Sequence, residues 1–330
     1  MKNISSISTD EVGSKVHDDM KCAPGINYSH GSCMTLNVLI EMSNAFNKEF
    51  PKKQIRLLTD DNHEKLLHYK ASKEDGLDDV RRKYKKYLLK KLRERLSTKC
   101  KSQRCWGKQY FIMSMPEKER RILMTKTYRP PGPAKSKKWL NTDNIDKVFS
   151  QFEEKYKDFK FLGAVPRDFQ SVDFYKKSDE DYKNLWKAGK TKIGIIYNTD
   201  PTGKPGEHWN ALFADFDKGQ IYFFDSYGKA PNSDVKKHMD QLEKVIKENC
   251  GKIASIHQNK TDLMCHIPTK NYNKHQHQRK GSECGVYSIQ FIIKMLEGEK
   301  FENISKNIVD DDTIYHNRDI YFTDEEQEPK

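Results

Sequence analysis

The 330-residue sequence contains no run approaching the ~18 apolar residues that a membrane-spanning helix needs. Met1 to Asp19 lack both the basic and the apolar segment of a secretory signal, so a non-secreted, intracellular protein is expected. Apolar residues are scarce at 35%, against 33% charged, so the core must be drawn from few positions. The seven cysteines are odd in number and scattered, and in an intracellular setting free thiols are the expectation. Internal repeats are absent.

Signatures of metal or nucleotide sites fail on inspection. His63 and His68 flank Glu64-Lys65-Leu66-Leu67 and are five residues apart. On a helix they would point ~140° apart, whereas a shared metal needs i, i+4 spacing. Gly189-Lys190-Thr191 has Asn184 where a phosphate-binding loop needs glycine, and it precedes a strand instead of following one. Cys22, Cys33, Cys100 and Cys105 are poorly spaced for a four-thiolate zinc site. No metal and no cofactor are expected.

Charge is abundant and uneven. Net charge is +12, and residues 81–108 hold thirteen Lys/Arg against one acid, Glu94. Two readings stand: a solvated helix face, or a surface that attracts phosphate backbones through Arg81, Arg82, Lys85 and Lys86, with Tyr84 and Tyr87 between the cations.

Periodicity places a helix over Thr35–Phe50, capped by Thr35, and a basic helix over 80–97. Tyr128-Arg129-Pro130-Pro131-Gly132-Pro133 cannot be regular helix or central strand, because its prolines lack donors. It separates a mobile arm at 1–20 and a helical region at 21–126 from a domain at 127–330. In that domain a helix is expected over Thr142–Tyr156. Strands are expected at Phe159–Val165, Lys192–Tyr197, Trp209–Phe216, Gln220–Phe224 and Lys252–His257. Helices are expected at Ser233–Glu248 and from Cys284 onward. The pattern implies an α+β fold with a mixed central sheet flanked by helices.

Cys284 opens a strongly apolar stretch, Val286 to Leu296. As a helix N-terminus its unsatisfied N–H groups favour a negatively charged sulfur and can receive an oxyanion. A small core cysteine is the plain alternative. A nucleophilic thiolate needs a base that holds and returns its proton. His208 opens the strand Trp209–Phe216, and Asp225 ends the next strand, joined through Asp217-Lys218-Gly219. An antiparallel hairpin makes the two neighbours, so Asp225 can orient the imidazole. Gln278, six residues before Cys284, can present an amide to the same carbonyl oxygen.

His208-Trp209, Asp225-Ser226 and Gln278 ahead of Cys284-Gly285-Val286-Tyr287 resemble, in order and spacing, the SUMO-protease and adenovirus-proteinase superfamily. Trp139-Leu140-Asn141 resembles that family's Trp-Leu-Asn-Asp element, with Thr142 in place of the aspartate. The resemblance covers about residues 126–330 and implies a cysteine peptidase with catalytic His208, Asp225, Gln278 and Cys284. It also implies a narrow tunnel for a Gly-Gly tail walled by Trp139 and Trp209, two tryptophans that could equally be core residues. The N-terminal third resembles the arm domain of proteases of large cytoplasmic DNA viruses that cut polyproteins after Gly-Gly motifs. A viral structural polyprotein is then the expected substrate, at assembly sites in the host cytoplasm and in the virion. Two alternatives stand beside it: deconjugation of a ubiquitin-like modifier, and a nucleic-acid-binding module with a degenerate peptidase domain.

Overall fold

The computed structural model describes residues 21–58, 75–98, 100, 102–256 and 268–324. The expected arm at 1–20 and the His63–His68 pair lie outside them. The chain forms two compact units, Met1–Arg129 and Pro130–Lys330. Among the described residues no helix is long and apolar enough to cross a membrane.

The first unit is built on α1 (Leu36–Glu49) and α2 (Asp75–Leu96). Thr35 caps α1 by accepting the Val38 N–H at 3.3 Å. One apolar stripe of each helix is buried: Val38, Leu39, Met42 and Phe46 from α1, and Leu88, Leu89 and Leu92 from α2. Tyr84 and Tyr87 are stacked with ring centres 6.3 Å apart. Their hydroxyls are engaged by the Leu58 N–H and the Arg56 carbonyl, so they are packing residues and not an exposed stacking platform. Lys85 also corrects the sequence reading. It is buried, and its ammonium donates to the Ser32 carbonyl at 3.1 Å, because it falls on the apolar stripe and not beside the outward cations.

The cysteines give a second correction. Cys22 pairs with Cys33, and Cys100 with Cys105, at Cα separations of 5.4 and 5.5 Å, the spacing a disulfide requires. The free-thiol expectation rested on compartment alone. It ignored the tight turns that return the chain within bonding distance, the Ser29–Ser32 turn and the Ser102-capped turn.

The second unit has a five-stranded sheet: β2 (Phe159–Pro166), β3 (Lys192–Asn198), β4 (Trp209–Asp215), β5 (Gln220–Phe224) and β6 (Thr269–Tyr272), in that order. The outer pairs, β2 with β3 and β5 with β6, are parallel, and the inner two pairings are antiparallel. A short separate pair joins β1 (Pro131–Gly132) to β7 (Thr323–Asp324). A Cβ at Gly132 would stand 2.4 Å from the Phe322 ring, so only glycine admits this approach.

Alternation along the strands divides the core between the two sheet faces. Ala211, Phe213 and Phe224 share one apolar cluster with α3 (Thr142–Lys155) and α6 (Cys284–Leu296). Leu212, Ala214 and Phe223 share the other with Tyr182 of α4 (Asp179–Lys187) and the buried side of α5 (Ser233–Ile256). The helix expected to end at Glu248 continues through the expected strand at 252–257 as far as Ile256, which corrects that strand. Its β-type apolar pairs read equally as one more helical turn, an ambiguity inherent to short runs. Two helices close the unit, α7 (Phe301–Lys306) and α8 (Asp311–Tyr321).

Candidate active site

The site is assembled where β4 begins, β5 ends and α6 begins. The β4–β5 register pairs Ala211 with Phe224, so His208, ahead of β4, and Asp225, just after β5, meet at one end of the hairpin. Their side chains hydrogen-bond at 2.8 Å, through His208 Nε2 and Asp225 Oδ1. Cys284 is the second group that acts on the imidazole and, with Asp225, favours its protonated form. Cys284 is buried at the first position of α6 and carries a free thiol.

Burial works against a charged His208. The hydrogen bonds and charges of Asp225 and Cys284 outweigh it and raise the imidazole to about 9. The imidazole therefore holds a proton at neutral pH.

Asp225 is itself fixed. Its Oδ1 accepts the Tyr227 N–H at 2.8 Å. The fully buried Asn273 accepts the Asp225 N–H and donates to its carbonyl, both at 2.8 Å. Gly228 completes the turn with φ of 71°, and a Cβ there would meet the His275 backbone at 2.8 Å. The Tyr227 ring stacks on His208 with centres 4.7 Å apart and covers the imidazole.

Ser226 connects this turn to Gln278. Its carbonyl accepts the His277 and Gln278 N–H groups at 2.8 and 2.9 Å. Its hydroxyl donates to Gln278 Oε1 at 2.7 Å. The Gln278 side chain is fully buried, and its Nε2 donates to the carbonyls of Gly281 at 3.1 Å and Lys280 at 3.4 Å. Gln278 thus braces the loop that delivers Cys284.

A cleft of about 510 Å³ has a lining that includes Trp139, Asn141, Tyr175, Asn198, Lys204 and Trp209, but neither His208 nor Cys284. Trp139 is half exposed, whereas Trp209 is buried and donates its indole N–H to the Leu140 carbonyl at 2.8 Å. Both expected tunnel residues therefore border one cleft.

The structure brings His208, Asp225 and Cys284 together, puts Gln278 in the adjoining loop, and puts Trp139 and Trp209 on the cleft. Arg81, Arg82, Lys85 and Lys86 belong to the other unit. Sequence reasoning missed Tyr227 and Asn273. Tyr227 directly follows Asp225-Ser226 and could have been found there. Asn273 lies just beyond β6, between the expected strand at 252–257 and Cys284, and carries no local signal.

Comparison with known proteins shows the family. The model of the Ulp1 protease family, C-terminal catalytic domain, matches residues 119–327. Over 294 residues the chain is 33% identical to a protein of Acanthamoeba polyphaga mimivirus described as a thiol protease, with 89% of each chain covered. It is 25% identical over 210 residues to a cysteine protease of African swine fever virus, covering 59% of this chain and 71% of that one. A crystal structure of an African swine fever virus protease superposes with a TM-score of 0.60, at 17% identity, over 93% of this chain and 96% of the other. At that identity the superposition speaks for the fold alone. With the sequence match spanning most of the second unit, the chain belongs to the Ulp1 protease family and is a cysteine peptidase.

Proposed function

We propose that Cys284 is the nucleophile of an endopeptidase that cleaves after small residues, with Gly-Gly-X as the preferred motif. The reading is carried by the His208 imidazole, held between the Asp225 carboxylate and the Cys284 sulfur. The Cys284 thiolate attacks the scissile carbonyl carbon, and the π electrons move to the oxygen. The Cys284 backbone N–H receives that oxyanion, joined by Gln278 Nε2, which exchanges its 3.4 Å bond to Lys280 for the new acceptor. The His208 imidazolium gives its proton to the leaving amine as the C–N bond breaks. It then takes a proton from the water that opens the thioester, and the thiolate returns. Asp225 orients the ring and stabilises its charged form. Trp139 and Trp209 exclude side chains at the two positions before the cut, so glycine is selected by rejection of other residues.

The biological substrate proposed is a structural polyprotein processed during virus assembly in the host cytoplasm and the virion, in keeping with viral relatives along most of the chain. A second reading is removal of a ubiquitin-like modifier, since one relative from African swine fever virus is named a SUMO-1 cysteine protease. Gly-Gly-X peptides and SUMO and ubiquitin activity probes separate the two. Peptide cleavage without probe labelling is expected, and labelling without peptide cleavage would reverse the choice. Cys284→Ala should abolish turnover in a folded protein, and retained turnover would remove the nucleophile.

Nonspecific nucleic-acid binding is proposed for the outward face of α2, where Lys86 remains and the exposed Lys90 and Arg93 take the place of the buried Lys85. Arg82 is engaged by Asp79. Affinity for a labelled duplex should fall steeply with salt through counterion release. No binding at low salt would leave a solvated helix face.

A further inference from the structure

Two side chains of α8 hold both ends of the loop that precedes Cys284. At the first end, Asp311 Oδ2 accepts the N–H groups of Arg279 and Lys280, both at 3.0 Å. Its Oδ1 lies 3.2 Å from the Tyr287 hydroxyl, which donates to the Val309 carbonyl at 2.7 Å. At the other end, Arg318 is wholly buried, and its Nε meets Glu283 Oε2 at 2.6 Å. The same guanidinium donates to the Ser282 carbonyl at 3.3 Å and to the Lys138 carbonyl at 2.8 Å. Asp311 and Arg318 are seven residues apart, so two helical turns place them on one face. Tyr315 lies between them on that face and donates to the Lys135 carbonyl at 2.9 Å.

This arrangement joins parts that the reaction uses together. Residues 279–283 connect Gln278 to Cys284, the two groups proposed to receive the oxyanion. Lys135 and Lys138 belong to the segment that carries Trp139 to the cleft. Only a planar fork with several fixed donors could bind a carboxylate and carbonyls of two segments at once. Arg318 also balances the charge of the buried Glu283, the residue before Cys284.

We propose that Asp311 and Arg318 are positioning residues of the oxyanion site, which keep the Gln278–Cys284 loop in register with the cleft wall. The proposal rests on Cys284 acting as the nucleophile. Such a clamp acts on the tetrahedral state and not on substrate binding, so its removal should change turnover selectively.

The test uses the full chain. Asp311→Ala should lower kcat roughly tenfold to a hundredfold, the scale of a displaced catalytic group, with KM within about twofold. Affinity for a peptide aldehyde ending in Gly-Gly should fall by the same factor, because its adduct places an oxygen in the oxyanion site. Alkylation of Cys284 by iodoacetamide, which needs the thiolate but no oxyanion site, should keep its rate. Asp311→Asn retains an acceptor oxygen and should recover most of kcat. Arg318→Met alone strands a buried carboxylate and could unfold the unit. The double variant Glu283→Gln with Arg318→Met removes both charges, and it should stay folded while losing turnover. Normal kcat in folded Asp311→Ala and in the double variant, with Cys284→Ala inactive, would overturn the clamp alone. So would a joint fall of kcat, alkylation rate and thermal midpoint, which marks a purely structural role. Turnover surviving in Cys284→Ala would instead remove the nucleophile reading beneath it.

Discussion

Two histidines in the same unit, His208 part-buried and His238 buried, have opposite proton affinities. His208 is raised to about 9, while His238 on α5 is pushed down by burial to about 3. Burial disfavours the charged ring in both cases, so the partners decide. His208 has a carboxylate and a sulfur. His238 has two neutral phenols, Tyr182 at 2.7 Å from Nε2 and Tyr197 at 2.5 Å from Nδ1. A neutral imidazole donates through one nitrogen and accepts through the other, so it satisfies both hydroxyls without charge. The strand hairpin presents an imidazole to a partner that can carry charge, and the opposite sheet face locks one in a network that cannot. Only the first is equipped for proton transfer.

The largest effect should come from breaking the charged member of the comparison. His208→Ala should lower kcat/KM by roughly 10⁴-fold, the scale on which such units fail. Asp225→Asn should cost less, because an amide still orients the ring but stabilises its charge poorly. The raised imidazole stays protonated through neutral pH and loses its proton as pH rises through about 9, while the stability it contributes is whole only below about 6.5. The alkaline limb of kcat/KM should therefore lie near pH 9 and move to lower pH in Asp225→Asn. An unmoved limb in a pH–rate profile would show that another group sets it.

A smaller effect, confined to stability, should follow from His238→Phe. Two buried hydroxyls lose their partner, at a cost of roughly 1–3 kcal/mol each, while kcat is retained. The sign of the pH dependence is opposite to that of His208. A depressed His238 leaves stability whole above about 6.5, and stability declines as pH falls toward 3 because the unfolded chain binds the extra proton. Thermal midpoints measured between pH 7 and 4 should slope less in the variant than in the parent. Equal slopes would move the acid sensitivity elsewhere in the molecule.

The hairpin that joins His208 to Asp225 was legible because its logic is local. The turn at Asp217–Gly219 fixes the pairing, and the pairing places Asp225 beside His208. The apolar run after Cys284 also declared its helix. Tertiary partners were not legible in this way. Asn273 grips Asp225 across 48 residues of chain, and Arg318 reaches Glu283 across 35, with no periodic pattern to announce either contact. Lys85 shows the same limit within a single helix. Its charge suggested solvent, but its place on the apolar stripe of α2 decided for burial. The disulfides failed to appear for a different reason, since a general expectation about thiols was allowed to override the geometry of two short loops.

The pairing of β1 with β7 has a consequence for the order in which this protein comes into being. As the chain is made from its first residue onward, His208, Asp225, Gln278 and Cys284 all exist well before the residues that hold the cleft wall in place. Pro130 waits for Thr323, whose N–H reaches its carbonyl at 3.0 Å, and Gly132 waits for Phe322 to pack against it. A nascent chain thus carries His208, Asp225, Gln278 and Cys284 before it carries the β1–β7 pair.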